Sequence, residues 1–201
     1  MIDSETTRRF FDAIAPRYDR VYARTRDEMR PRMARLCALL GAPRDVLDLG
    51  VGTGPELHHL LDAGHRVVGV DVSEKMIALC NRRARPIRCI LADFWQGLPA
   101  EDGSFDAVIA LFGALAHPPD SSAVAGLARE AHRVLRPGGI FYAEAPTPAW
   151  AAANPSFVDE ASGARVDVVA LDVTAWRRAF SAFDSSATED EGEITLVARR
   201  S

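Results

Sequence analysis

Three closely spaced glycines follow a short apolar segment that contains one acid. The segment spans residues 46–49 and includes Asp48, and Gly50, Gly52 and Gly54 follow it in the spacing G-x-G-x-G. Glycine lets the backbone turn sharply and approach a ligand with no Cβ in the way. Open α/β sheets bind ligands outside the carboxyl ends of their strands. The segment is therefore a predicted nucleotide-binding loop at such a strand end.

The glycine spacing disfavours two common nucleotide fingerprints. A dinucleotide loop has the pattern G-x-G-x-x-G, and its third glycine would fall at Pro55. Proline lacks the N–H group that a helix N-terminus offers to a pyrophosphate. The phosphate loop of ATPases requires Gly-Lys followed by Ser or Thr, which this sequence does not contain. NAD, FAD and ATP are therefore disfavoured as ligands.

Two further acids follow predicted strands. Asp71 lies about 20 residues after the loop, where a carboxylate accepts hydrogen bonds from both hydroxyls of a ribose. Its alternative role is to cap the helix that begins near Glu74. Asp93 follows the next predicted strand, and its alternative role is to begin a turn.

The elements that must position these residues alternate between short apolar strands and amphipathic helices. This alternation is typical of a parallel sheet covered by helices. The predicted strands span 45–49, 66–70, 88–91, 105–111 and 139–145. The predicted helices between them span 56–63, 74–83 and 123–135.

The end of the chain predicts further strands. After a helix that begins near Thr174, segments 183–188 and 193–199 read as an antiparallel hairpin at the sheet edge. Residues 146–172 form the least regular stretch, in which Ser162-Gly163 indicates a small hairpin. The predicted fold class is therefore α/β, a Rossmann-like doubly wound sheet of seven strands, mostly parallel with an antiparallel C-terminal hairpin.

The front of the chain predicts a helical cap. Two helices are expected there, with Pro16 and Pro31 near their boundaries. Residues 1–40 are the expected cap segment, and residues 41–201 are the expected main part of one domain.

Four motifs in this order resemble those of the class I methyltransferases that use S-adenosylmethionine. Residues 46–54 resemble the first motif, residues 69–76 the second, and residues 92–94 the third, while residues 133–139 introduce the fifth strand. The front segment, residues 11–19, is similar to the opening helix of the ubiquinone and biotin-pathway methyltransferases. The resemblance covers nearly the whole chain and implies S-adenosylmethionine as the cofactor.

The resemblance implies roles around the adenosine of this cofactor. At Gly50, Gly52 and Gly54 the backbone would pass close to the cofactor. Asp71 would bind the ribose, and Val72 and Met76 would flank the adenine, although Met76 also suits the core. Asp93 would accept a hydrogen bond from the adenine amine, and the backbone N–H of Phe94 would face a ring nitrogen.

Three more residues are expected near the reacting end of the cofactor. Asp48 would steady the loop or meet the positively charged end of the cofactor through water. Tyr18 would close over the cofactor, or alternatively anchor its helix to the core. Leu111 ends the fourth strand, whose end faces the donor methyl in similar proteins.

His117 is the candidate catalytic residue. The sulfonium of the cofactor is already an activated methyl donor, so catalysis is largely positioning and exclusion of water. A base is useful if the acceptor is a hydroxyl or a carbon acid. His117 follows the fourth strand, where a base would face the methyl group. The alternative is a histidine that only packs the loop.

A small molecule is the expected methyl acceptor. The segment 112–115 lacks the Asn/Asp-Pro-Pro-Tyr motif that stacks a flipped base or a planar amide. Trp150, Phe157 and Trp176 would line an apolar acceptor pocket or belong to the core. Two alternatives stay open: a module that binds S-adenosylmethionine without catalysis, and an NAD-dependent oxidoreductase with an unusual glycine loop.

Composition limits the partners and the location. The 201 residues carry a net charge of −4, so nucleic acid is not an expected partner. No run of 18 apolar residues occurs and the N-terminus is polar, which predicts a cytoplasmic protein that binds no membrane. The three cysteines show no CxxC spacing, so no metal is expected. The sequence leaves the oligomeric state open.

Overall fold

The structure is a computed structural model that describes residues 3–22, 26–83, 85, 87–170, 172–190 and 192–201. Its strands are β1 (Asp45–Leu49), β2 (Arg66–Asp71), β3 (Arg88–Leu91), β4 (Phe105–Ala110), β5 (Leu135–Pro146), β6 (Ser156–Asp159), β7 (Ala164–Asp167), β8 (Phe183–Asp190) and β9 (Glu193–Arg200). Its α-helices are α1 (Ser4–Ile14), α2 (Tyr18–Val21), α3 (Arg26–Leu40), α4 (Leu57–Asp62), α5 (Glu74–Cys80), α6 (Ala123–Val134), α7 (Pro148–Ala153) and α8 (Val173–Ala179).

Seven strands form one mixed sheet in the order β3-β2-β1-β4-β5-β9-β8. The pairs β1–β2, β1–β4, β2–β3 and β4–β5 are parallel. Strand β9 is antiparallel to both β5 and β8. The predicted fold class is confirmed. The strand order reverses between β1 and β4, and open α/β sheets bind ligands at such a switch point.

Both faces of the central strands are buried, because alternate side chains point to opposite sides of the sheet and helices cover both sides. In β1, Leu47 and Leu49 belong to the cluster that contains α6 and α8, whereas Val46 belongs to the cluster that contains α3 and α4. Continuous apolar strands of this kind are typical of sheets covered on both sides. The sheet therefore holds the carboxyl ends of β1, β2 and β4 in fixed positions.

The cap segment differs from its predicted form at Pro31. The predicted boundary is wrong, because Pro31 lies inside α3. An interior proline removes one helical hydrogen bond at a cost of roughly 3 kcal/mol. The buried residues Met33, Leu36 and Leu40 pack α3 against the sheet on the far side of this position and keep the helix continuous. Pro16 does lie at a boundary, in the short 3₁₀ turn that joins α1 to α2.

The irregular stretch contains one helix that the sequence reasoning missed. Thr147 caps α7 by accepting a hydrogen bond from the N–H of Trp150 at 3.1 Å, and Pro148 occupies the first helical position. Thr-Pro at a helix start is a recognisable signal. The small hairpin predicted at Ser162-Gly163 is present as β6 and β7. No helix in the described part of the chain has both the length and the apolar character needed to cross a bilayer.

Candidate functional site

A cavity of about 770 Å³ opens at the carboxyl ends of the parallel strands. Ten of the twelve residues predicted for the site line it: Tyr18, Gly50, Gly52, Asp71, Val72, Met76, Asp93, Phe94, Leu111 and His117. Asp48 and Gly54 are not among the lining residues. The topology thus brings together side chains that are up to 99 residues apart in the sequence.

The three glycines of the loop all have positive φ, but they serve different purposes. A Cβ on Gly50 would lie 2.8 Å from the Cβ of Ala114, and one on Gly54 would lie 2.6 Å from Leu57. These two glycines are therefore required for close packing. A Cβ on Gly52 would meet its nearest atom at 3.9 Å and lies beside the cavity. Gly52 leaves a backbone surface that a ligand can approach closely.

Asp71 fixes the loop and still has capacity for a ligand. Its two oxygens accept the backbone N–H groups of Gly52 and Ser73, each at 2.8 Å. Because the two carboxylate oxygens have four lone pairs and the backbone of Val72 also contacts the carboxylate, at least one site remains for a ligand donor. Burial raises the pKa of Asp71 to about 6. The cap of α5 is Ser73, which accepts from Met76, so Asp71 is not the helix cap.

The adjoining wall is apolar with one acid at its edge. Val72, Met76 and Phe94 line this part of the cavity. Asp93 accepts the backbone N–H of Trp95 at 3.0 Å and the hydroxyl of Ser4. An apolar wall with a few polar groups suits a planar heterocycle.

Asp48 lies buried behind the cavity. Its side chain is 1% exposed, and its Oδ2 has no hydrogen-bond partner among the described residues. Burial, together with the nearby acids Glu56 and Asp71, raises the pKa of Asp48 well above its ordinary value. An orphaned buried oxygen is a place where a polar ligand group or a water is accommodated.

The hydrogen bond of His117 fixes which ring nitrogen carries the proton. Its Nδ1 lies 2.7 Å from the carbonyl oxygen of Asp167. A carbonyl only accepts hydrogen bonds, so Nδ1 carries the proton and Nε2 holds a lone pair. Burial lowers the pKa of His117, which favours this neutral form.

The cap segment contacts the nucleotide-binding elements at several points. Asp12 accepts the hydroxyl of Ser73 at 2.6 Å. Asp19 accepts the hydroxyl of Thr53 at 2.5 Å and pairs with Arg83 at 2.9 Å. With the bond from Ser4 to Asp93, these contacts hold α1 and α2 over the cavity. Sequence reasoning missed them, because partners 34 to 89 residues apart leave no periodic signal.

A charged network supports the turn after β4. Phe112 has φ of 52°, an uncommon conformation for a residue with a side chain. Its N–H donates to Glu144 at 3.1 Å, and the guanidinium of Arg32 lies 5.2 Å from its ring. Arg32 also binds Glu144 at 3.0 Å and Glu193 at 2.8 Å. The network fixes the backbone that leads to His117.

Known proteins share this fold and parts of this sequence. Residues 46–139 match the methyltransferase domain family. A demethylmenaquinone methyltransferase of Beutenbergia cavernae is 44% identical over 146 residues, which cover 70% of this chain and 58% of that protein. One of Thermus thermophilus is 38% identical over 148 residues, which cover 69% of this chain and 65% of that protein. The chain therefore spans less than two thirds of each relative.

A solved structure extends the comparison to almost every residue. The complex of DhpI with S-adenosylhomocysteine (SAH) has a TM-score of 0.78 and 24% identity, and the match covers 98% of this chain and 96% of that one. The chain therefore has the class I methyltransferase fold. Within it, residues 46–139 match the methyltransferase domain family. The resemblance stated from the sequence motifs is confirmed.

We expect Gly52→Ala to weaken SAH binding at least tenfold, because the added methyl occupies the surface that a ligand approaches. The positive φ costs about 1 to 2 kcal/mol of folding stability. Gly41→Ala is the matched control, since Gly41 has φ of 71° and a Cβ added there would meet no atom within 4 Å. Calorimetry and thermal unfolding of both variants separate binding from strain. Equal SAH affinity in the two variants would remove Gly52 from the site.

Proposed function

We propose that the protein transfers the methyl group of S-adenosylmethionine to a small-molecule acceptor by in-line displacement. One observation carries the proposal: Asp71, which can accept a ligand donor, and His117, whose Nε2 holds a lone pair, line the same cavity. In this proposal, residues 1–40 form a cap on the main part of the domain, residues 41–201. The named relatives support the methyltransferase class.

The cofactor fits the part of the cavity near β1 and β2. The open backbone at Gly52 admits the ribose and the chain that bears the sulfonium, and Asp71 accepts the ribose hydroxyls. Val72, Met76 and Phe94 would flank the adenine. These roles suit the contacts described above, in which each group lines one continuous surface.

Three further residues complete the proposed cofactor site. Asp93 would accept the adenine amine and exchange its bond with Ser4 for that contact. Tyr18 would close over the ligand from the cap, and Leu111 would border the methyl group. Asp48 would act through the loop or through water, because it does not line the cavity.

When bound, S-adenosylmethionine supplies an electrophilic methyl group. The chain's own residues position the reactants and exclude water. The cap excludes water, and the turn at Phe112 orients the segment that carries His117. The neutral Nε2 of His117 accepts the proton that the acceptor loses. No protein nucleophile is required for this chemistry.

Two other functions are distinguishable by experiment. A module that binds S-adenosylmethionine without catalysis would bind the cofactor and methylate no acceptor. An NAD-dependent oxidoreductase would bind NAD, and Pro55 disfavours it. The proposal is tested by incubating the protein with methyl-labelled S-adenosylmethionine and a library of small acceptors. Labelled product supports it, whereas bound cofactor without any transfer supports the binding module.

We expect Asp71→Ala to weaken SAH binding by about 1 to 3 kcal/mol, because a carboxylate's hydrogen bonds to the ribose are lost. Asp184→Ala, which removes an exposed acid on β8, is the matched control and leaves the affinity unchanged. Calorimetric titration measures both. An unchanged dissociation constant in folded Asp71→Ala would exclude Asp71 from the site.

SAH binding should weaken as the pH falls through 6. The pKa of Asp71 is raised to about 6, and the ionised form is the better acceptor for ribose hydroxyls. Protonation at pH 5 therefore costs about tenfold in affinity relative to pH 7.5. Asp71→Asn removes this titrating carboxyl, so its profile of affinity against pH should be flatter. It should not be completely flat, because Glu56 and His117 remain. A wild-type profile in that variant would assign the titration to another group.

His117→Ala should lower kcat by about 10² to 10⁴-fold with SAH affinity unchanged, because the base is lost and the cofactor site is not. The measurement uses the acceptor that the wild-type protein methylates. Added imidazole should restore part of the rate by entering the vacated space. Full activity without imidazole would end the assignment of His117 as the base.

A further inference from the structure

Five aromatic rings in the cavity form a closed circuit. Going round, the centroids of Phe11 and Tyr18 are 6.4 Å apart, those of Tyr18 and Tyr22 are 5.0 Å apart, and those of Tyr22 and Phe157 are 6.1 Å apart. Phe157 and His117 are 6.4 Å apart, and His117 and Phe11 close the circuit at 5.7 Å. All five residues line the cavity. We call this set the five-ring box.

The rings of the circuit are steeply inclined to one another. Neighbouring ring planes meet at angles between 47° and 78°. A flat pentagon with these edges has its centre about 5 Å from each centroid, inside the roughly 6 Å reach of a cation–π contact. A space of this width suits a compact group such as an alkylammonium better than a fused ring system.

The charges around the cavity favour a cation. Five acids line it, namely Asp19, Glu56, Asp71, Asp93 and Glu193. The two arginines among the described lining residues are Arg32 and Arg83. Both are engaged, since Arg32 binds Glu144 and Glu193, and Arg83 binds Asp19. An anionic acceptor would therefore find both guanidinium groups already paired.

We infer that the five-ring box is the acceptor subsite and that it binds the amino group of an aliphatic amine as its ammonium form. The inference rests on the proposed methyltransferase function and names its substrate class. Aromatic faces attract an ammonium through their quadrupoles, and the box offers them from several sides. Nε2 of His117 holds a lone pair, so it also accepts an N–H bond from the ammonium.

The chemistry balances with the residues in place. The ammonium first gives one proton to Nε2 of His117, which leaves a neutral amine and an imidazolium. The amine nitrogen then forms a bond to the methyl carbon while the carbon–sulfur bond breaks, and sulfur keeps the electron pair. The products are a methylated ammonium and the neutral thioether SAH, and the proton on His117 passes to solvent.

The test uses choline, a permanent ammonium that cannot lose a proton, and its neutral isostere 3,3-dimethylbutan-1-ol. Each is titrated into protein saturated with SAH. We expect choline to bind at least tenfold more tightly than the isostere. Equal or tighter binding of the isostere, with SAH bound normally, would overturn the inference and leave the methyltransferase proposal intact. Failure of SAH itself to bind would instead overturn the methyltransferase proposal.

Matched variants locate the binding to the box. Tyr22 is 37% exposed, so its replacement is tolerated by the fold. Tyr22→Leu and Phe157→Leu should each weaken choline binding by about 3-fold to 30-fold, whereas Tyr22→Phe keeps the ring and the affinity. If the Leu variants lose more affinity for S-adenosylmethionine than for SAH and keep their affinity for choline, the box holds the cofactor's sulfonium and the inference is wrong.

Discussion

The site depends on how closely the backbone after β1 packs against its neighbours. Gly50 faces Ala114 with no room for a Cβ, and Gly69 of β2 leaves room for Val51 in the same way, at 2.8 Å. Gly54 packs against Leu57 of α4. These contacts fix the loop from three sides. The remaining side, at Gly52, is the one that faces the cavity.

Fixing the loop also fixes the charges beside it. Asp71 holds the N–H of Gly52, and the cap reaches the same region through Asp12 and Asp19. Acids this deeply buried resist ionisation, as the raised pKa values of Asp71 and Glu56 show. A ligand with hydroxyl donors and positive charge supplies partners that stabilise these carboxylates. These buried carboxylates therefore favour a ligand with the hydroxyl groups and positive charge of the cofactor that the fold class uses.

The sheet was predictable from the sequence because its strands are short, apolar and punctuated by turn residues. Strands 45–49 and 88–91 have the predicted bounds, and the C-terminal hairpin lies at the sheet edge as expected. Local signals also predicted that Asp71 and the glycine loop lie at one ligand site, and Asp71, Gly50 and Gly52 line the same cavity. They did not separate Gly52 from Gly54, because the two differ only in what packs against them in the folded chain.

The cap and the acceptor side were less predictable for the same physical reason. Pro31 indicated a helix boundary, but packing of α3 overrides that local preference. Tyr22 and Phe157 meet at 6.1 Å across 135 positions of sequence, and no spacing rule connects them. Of the three aromatics considered for an acceptor pocket, Trp150 and Phe157 line the cavity, whereas Trp176 is 1% exposed and stacks on Phe180 in the core.

The proposed function requires that this cavity binds S-adenosylmethionine. It is tested most directly by calorimetric titration of the protein, side by side, with S-adenosylmethionine, SAH and NAD. We expect micromolar binding of the first two with one ligand per chain, and no binding of NAD. Binding of NAD alone would instead make a hydride-transfer enzyme the better interpretation of the same fold.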